Sequence, residues 1–417
     1  MADEADATPL LVPADGVPPV TDTPDAVAAA ARMLAGGTGP LAVDAERASG
    51  FRYTNRAYLI QLRRSGSGTV LIDPIPVAED LDGLAEVINP LEWVLHAADQ
   101  DLPGLAELGL RPAALYDTEL AGRLAGFERV GLAAIVERTL GFELRKGHGA
   151  ADWSKRPLPH DWLNYAALDV EVLLELRDAM ASELASQGKT EWAAAEFEYV
   201  RTRGPSPPRP DRWRRTSQIH TLRKPRQLAT VRELWIARDR LATTRDVAPG
   251  RVLPDAAIVA AATADPKTVE QLRALPVFGG PRQRRSSQVW LSAIARARSL
   301  PDDDVPPVTQ PFDGPPPANR WSRKDPEAFA RLSGARAALS EVSAAVAVPS
   351  ENLLSPDLLR RLCWDGVDPA SPRLADDVEE FLRDGGAREW QRSLLAAPLA
   401  RALGGAAAQS GAEAAVE

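Results

Sequence analysis

The chain has 417 residues, 26% of them charged and 45% hydrophobic, with a net charge of −9 and a single cysteine, Cys363. That length supports two or three domains with cores of their own, and the acidic balance leaves any nucleic-acid binding to local basic patches. One cysteine excludes an intrachain disulfide framework and a Cys-based zinc site, in keeping with a reducing compartment. The acidic, Pro-rich start lacks the regions of a signal peptide, and there is no run of about 18 apolar residues. Both point to a cytoplasmic protein without membrane contact.

In chain order, residues 1–24 read as a flexible tail, and residues 25–200 as an α/β unit. A helix over "TPDAVAAAARMLAGGTG" leads into strands "PLAVDAE", "AYLIQLRR" and "GTVLIDP", then a helix "LAEVINP" and a strand "EWVLHAA". Hairpin spacing followed by β-α-β alternation is the pattern of a mixed sheet. From "AADQDLPGLAELGL" onward the unit reads as mostly helical. A Pro/Arg connector, residues 201–226, holds Arg212, Arg214, Arg215, Lys224 and Arg226 against one acid, Asp211. Residues 227–299 read as a compact helical module, with Trp235 in its core. A Pro/Asp-rich linker, residues 300–320, is expected to be extended. A second set of helices occupies residues 321–403, and residues 404–417 read as a disordered tail. "PDAAIVAAA" and "SPDLLRRLCWD" are candidate equivalent helix starts in the two helical modules.

Three places combine acids with strand or helix ends. Asp44 and Glu46 alternate onto one side of a strand, with Cα atoms roughly 6 to 7 Å apart. Asp99 and Asp101 follow a strand that stops at His96. Tyr165 and Asp169 stack one helical turn apart. Singly, each has an ordinary reading: an edge facing solvent, a helix N-cap, an amphipathic surface. Together they describe converging carboxylates that repel each other unless cations neutralise them. Oxygen donors without a Cys or His cluster select Mg²⁺ or Mn²⁺, and two such ions suit in-line phosphoryl transfer.

"VDAE", "HAADQDL" and "YAALD", in that order, resemble the three motifs of the DEDD exonucleases. "YDTELAGRLAG", "LAAIVERTLGFEL", "DWSKRPLP" and "NYAALDVEVLLEL" are similar to the ribonuclease D family in particular, and Tyr165-x-x-x-Asp169 marks the DEDDy subtype. The resemblance covers residues 25–200, and residues 227–299 look like an HRDC domain. It implies a ribonuclease H-like mixed α/β sheet followed by all-α modules, the second of them (321–403) HRDC-like. It further implies that Asp44, Glu46, Asp101 and Asp169 bind two divalent ions, Mg²⁺ or Mn²⁺, while Tyr165 orients the attacking water. Asp101 is preferred to Asp99 because it precedes Leu102, as in the family's "DL". His96 reads as structural. Arg47 departs from the apolar residue that commonly follows D-x-E.

The implied activity is a metal-dependent 3′-5′ exoribonuclease that trims structured RNA such as tRNA precursors and releases nucleoside 5′-monophosphates, with no obligatory protein partner. A DNA exonuclease and a non-catalytic RNA-binding scaffold are the alternatives. Lys155 and Arg156 are candidates to neutralise phosphate, with solvated loop charge as the other reading, and Trp153 reads as pinning that loop. The basic connector residues, with Arg282, Arg284 and Arg285, are candidates to follow an RNA backbone. No phosphate-cradling G-x-x-x-x-G-K-S/T loop is present, so ATP-driven unwinding is not expected.

Overall fold

A computed structural model describes residues 7–144, 147–204, 207, 209–309 and 314–414, with side chains to residue 405. Its strands are β1 (Thr8–Leu10), β2 (Val20–Thr21), β3 (Thr38–Arg47), β4 (Ala57–Ser65), β5 (Gly68–Ile72), β6 (Glu92–Leu95), β7 (Ala114–Asp117) and β8 (Phe142–Leu144). Six of them form one sheet in the order β2-β5-β4-β3-β6-β7, and β1 pairs with β8. β3, β4 and β5 run antiparallel, whereas β6 and β7 run parallel to β3. This is the mixed sheet expected from hairpin spacing followed by alternation.

The ten-residue β3 is central and its Leu41, Ala42 and Val43 are fully buried. Helix Pro24–Ala35 enters on the Thr23 N-cap, whose side chain accepts from the Ala26 amide. It buries Val27, Ala30, Ala31 and Leu34 against the sheet's core. Helix His160–Glu171 contacts β3, β4 and β5.

Four expectations are corrected. Residues 1–24 are not simply a tail: residues 8–10 and 20–21 are paired strands, and Ala14 N donates to Glu171. The stretch expected to be mostly helical also contains β7 and β8, at four and three residues too short for alternation to show. The 300–320 linker, expected to be extended, takes 3₁₀ turns at Asp302–Asp304 and Ala318–Arg320, and its first residues are fastened to the connector and the first helical module. Arg226 donates to Leu300 O at 2.6 Å, Arg232 to Asp304 O at 3.1 Å and Arg214 to Pro307 O at 3.0 Å. Beyond residue 403, the backbone continues as helix Glu389–Ala414.

The two helical modules run through the same series of elements. Helices Pro225–Arg245 and Pro326–Val346 are each 21 residues long. Each ends on a non-glycine residue in the left-handed region, Asp246 (φ 45) and Ala347 (φ 48). Four-residue helices Pro249–Val252 and Ser350–Leu353 follow, and then helices Asp255–Ala264 and Pro356–Arg361.

Both left-handed corners dock on the α/β unit. Asp246 accepts from the amides of Tyr53 and Thr54 at 3.2 Å and from the Tyr58 hydroxyl at 3.3 Å. The Ala347 carbonyl accepts from Lys189 Nζ, and a Cβ on Gly126 would lie 2.6 Å from that same oxygen. A glycine with φ +79 is required there.

The first helical module keeps its own core around Val231, Leu234, Leu253 and Trp290. The second shares one apolar core with the α/β unit, through Trp192 stacked on Trp390 at 5.0 Å and Glu196 bound by Arg388. Among the described residues, no helix is long and apolar enough to cross a membrane.

Candidate active site

β6 pairs with β3 at Leu41 and Ala42 and goes no further, so Asp44 and Glu46 lie past the last paired residues, where the two strands part. Crevices at the carboxyl ends of parallel strands are where open α/β sheets place their ligands. After β6 the chain turns through Ala97, a non-glycine residue at φ 59, into one 3₁₀ turn over Ala98–Gln100. Asp101 then begins helix Leu102–Glu107. Helix His160–Glu171 carries Tyr165 and Asp169 to the same crevice.

Asp44, Glu46 and Asp169 each offer a carboxylate oxygen, and these oxygens lie within 4.8 Å of one another. Asp101 stands beside them, 6% exposed, with its nearest cation at Arg47 (Nε to Oδ1 3.5 Å). The structure therefore brings Asp44, Glu46 and Asp169 into one cluster, with Asp101 outside it but near enough for its charge to act on Glu46. Asp99 points elsewhere: its side chain is 51% exposed and paired with Arg203 at 3.2 Å. His96 is half-buried and hydrogen-bonded through Nδ1 to Thr118 at 2.9 Å, and desolvation of its ring depresses its pKa to about 4. It acts as a neutral structural group.

The electrostatics follow from crowding. Burial raises Asp44 to about 6, offset in part by the Ala45 amide and by Arg47. Glu46 rises to about 9 through burial first and then the charges of Asp44, Asp169 and Asp101. Burial and Asp44 likewise raise Asp101 and Asp169, and the Tyr165 hydroxyl donates a hydrogen bond to Asp169 that works the other way. A divalent cation removes the cost of this arrangement by supplying the missing positive charge.

The donor set fits such an ion, being all oxygen and preassembled. Gln61 adds to the fit: it lies across from Asp44 on β4, fully buried, with neither amide atom hydrogen-bonded. Buried amides rarely stay unpaired, so a water held by a bound ion is a natural partner for it.

These shifts set a pH dependence. With raised carboxylate pKa values, the folded chain keeps protons that the unfolded chain releases, so metal-free stability falls as pH rises. The fall begins near the ordinary carboxylate value of about 4. It continues through about 6 for Asp44 and about 9 for Glu46. Calorimetry is expected to show a larger Mg²⁺-induced gain in Tm at about pH 8 than at about pH 6. An equal gain at both would separate the cation from these groups.

One positioning residue was missed in the sequence. Asp117, at the end of β7, accepts from the amides of Ala97 (3.1 Å), Ala98 (2.9 Å), Glu119 (3.0 Å) and Leu120 (3.1 Å). It caps its own helix and also fixes the left-handed turn that delivers Asp101. The signal was the "DTE" of a helix start; the second role depends on a contact about 20 residues back. Asp117→Ala is expected to cost about 2 to 3 kcal/mol in chemical denaturation.

The basic candidates divide by their partners. Arg156 is bound bidentately to Asp73 and also donates to the carbonyls of Tyr58, Trp153 and Lys155 at 2.7 Å. It ties the 152–158 loop to the sheet, with Trp153 fully buried beneath. Arg214 lies over the Trp213 ring and holds the linker, as does Arg226. Lys155, Arg215 and Lys224 are exposed. Arg212 lies over Trp235, which is half-buried at the edge of the module's core. Arg212, Arg215 and Trp235 line a cleft of about 480 Å³.

Sequence comparison accords with this geometry. The 3′-5′ exonuclease family matches residues 19–185, the HRDC domain residues 227–294, and the 3′ to 5′ exonuclease C-terminal domain residues 314–403. A ribonuclease D from Gluconacetobacter diazotrophicus is 31% identical over 284 residues, covering 67% of this chain and 72% of that one. The chain belongs to the ribonuclease D family. As a member of the ribonuclease D family it is a 3′-5′ exoribonuclease that uses a divalent metal.

The crystal structure of a protein from Bifidobacterium adolescentis is similar over 95% of this chain and 99% of that one, with a TM-score of 0.89 and 38% identity. Escherichia coli RNase D, described as an exoribonuclease involved in structured RNA processing, has a TM-score of 0.65 and 25% identity. That match covers 92% of this chain and 98% of the other.

Proposed function

We propose that this ribonuclease D relative trims the 3′ ends of structured RNA such as tRNA precursors in the cytoplasm, releasing nucleoside 5′-monophosphates without an obligatory protein partner. Asp44, Glu46, Asp101 and Asp169 hold two divalent ions, Mg²⁺ or Mn²⁺. The observation that carries this reading is the convergence of Asp44, Glu46 and Asp169, from a strand and a helix, within 4.8 Å.

When bound, the ions supply charge stabilisation for the attacking and leaving oxygens of an in-line displacement. The chain's own groups do the rest. The Tyr165 hydroxyl, which donates its one hydrogen to Asp169, accepts a hydrogen bond from the attacking water and so aims it at phosphorus. It does not take the water's proton, because burial and the neighbouring carboxylates push its pKa up, away from neutrality.

Lys155, Arg212, Arg215 and Lys224 present exposed positive charge for the RNA backbone, and Trp235 an aromatic edge beside it. Arg156, Arg214 and Arg226 contribute by keeping loop, connector and linker in place. Residues 321–403 act as a second HRDC-like module.

The test is incubation of the purified full chain with a 3′-extended tRNA precursor and with a DNA oligonucleotide of matched sequence, with Mg²⁺ or Mn²⁺. Stepwise shortening of the RNA with release of 5′-mononucleotides is expected. Preferential degradation of the DNA would transfer the substrate to that polymer, and no cleavage of either would leave an RNA-binding scaffold.

A further inference from the structure

Arg47 follows Glu46 directly, where strand alternation would send its side chain away from the carboxylates. The pairing of β3 with β4 shifts register at this point: Glu46 faces Leu59, and Arg47 faces Ala57. Such an irregularity re-aims the side chain that follows it. The guanidinium reaches Asp101 (Nε to Oδ1, 3.5 Å) and Gln100 (Nη2 to Oε1, 3.1 Å).

Arg47 is the cation whose charge acts on Asp44, Glu46 and Asp101 alike. Its hold on Asp101 is loose. Arg388 meets Glu196 at 2.6 Å, and Arg156 meets Asp73 at 2.7 Å, both bidentately. At 3.5 Å the Arg47 contact is an ion pair without the geometry of a charge-assisted hydrogen bond. Asp101 makes no side-chain hydrogen bond among the described residues, and it stands outside the trio that already converges. The Arg47 side chain is 26% exposed, so it has room to leave.

We infer that Arg47 is an exchangeable partner of Asp101: it neutralises that carboxylate until a divalent cation takes its place, and the released guanidinium then binds a phosphate of the incoming RNA. This rests on the metal-binding reading above. A doubly charged ion competes directly with a monovalent guanidinium for the same carboxylate and repels it. The planar fork of arginine matches a phosphate, and an RNA chain is what brings phosphates to this crevice. The exchange links cation uptake to substrate binding through one side chain.

Two substitutions in the full-length protein test this. Arg47→Met removes the charge while keeping an unbranched stem, and Arg47→Lys keeps the charge without the fork. Isothermal titration with Mn²⁺ in the absence of RNA is expected to show about fivefold tighter uptake by Arg47→Met, because the competitor is gone. Arg47→Lys is expected to stay near wild type. Steady-state cleavage by Arg47→Met should show KM raised by about tenfold, with a log KM against log salt slope shallower by about 0.7, the value of one lost single-strand phosphate contact. A purely structural arginine would change Tm and leave that slope alone.

Unchanged or weaker Mn²⁺ uptake by a folded Arg47→Met protein overturns the exchange, and an unchanged salt slope overturns the phosphate contact. Asp44→Asn separates this from the metal reading itself. If it binds Mn²⁺ as well as wild type, the ion lies elsewhere and both ideas fall. If it loses Mn²⁺ while Arg47→Met is indifferent, only the exchange fails.

Discussion

Asp44→Asn, Glu46→Gln and Asp169→Asn are each expected to lower single-turnover RNA cleavage by about 10³-fold or more. The same substitutions are expected to raise the Tm of the metal-free protein. Both effects share one cause. Three carboxylates from β3 and helix His160–Glu171 lie within 4.8 Å of one another, Glu46 buried and Asp44 and Asp169 half-buried, with Arg47 as the nearby counter-charge. Each isosteric amide removes a repelling charge and so relieves the folded state, and each removes an oxygen donor that only an ionised acid supplies. Strain kept at a site because function needs it produces this opposition of activity and stability.

Asp101→Ala should follow the trio in activity. Asp99→Ala should be mild, because Asp99 is half-exposed and already paired with Arg203. Near-normal turnover in a folded Asp44, Glu46 or Asp169 variant would remove that residue from the site. A fall in metal-free Tm would mean that groups of the protein itself already neutralise the cluster and that no metal ion is needed to relieve it.

Tyr165→Phe is expected to lower kcat by about 10 to 10³-fold, with KM and Mn²⁺ affinity little changed. The phenylalanine keeps the ring and its packing and deletes only the hydroxyl that donates to Asp169. The ring's position is fixed from the other side by the loop before Trp153. A Cβ built on Gly147 would lie 2.3 Å from Tyr165 Cδ2, so no side chain fits there while the ring stays in place. The His148 ring meets Tyr165 edge-on at 6.0 Å.

Gly147→Ala is therefore expected to displace the tyrosine and lower kcat in the same direction, with a stability loss of about 1 to 3 kcal/mol from overpacking. Wild-type kcat in folded Tyr165→Phe would reject the water-aiming role. A silent Gly147→Ala would show that the loop yields more readily than its backbone contact implies.

Much of the site was legible in the residues alone. Alternation put Asp44 and Glu46 on one side of a strand, and helical spacing put Tyr165 over Asp169, because both are local periodicities. Oxygen-only donors named the class of metal for the same reason: chemistry belongs to residue types. The strands of the antiparallel half were legible too, since "AYLIQLRR" and "GTVLIDP" carry enough apolar residues to announce themselves.

Contacts between distant residues were decided only by the tertiary structure. That Asp101 and not Asp99 turns inward depends on Asp117 gripping the amides of Ala97 and Ala98. The connector's basic residues read as one patch, yet Arg214 and Arg226 are fastened to the linker's carbonyls while Arg215 and Lys224 stay exposed. No local pattern distinguishes a solvated arginine from one that finds a carbonyl some 90 residues away. A boundary at residue 200 also looked natural from composition. It in fact divides one core, because Trp192 and Glu196 are covered by Trp390 and Arg388 from the far end of the chain. Periodicity tells which side chains seek burial, and only the folded chain decides which partners bury them.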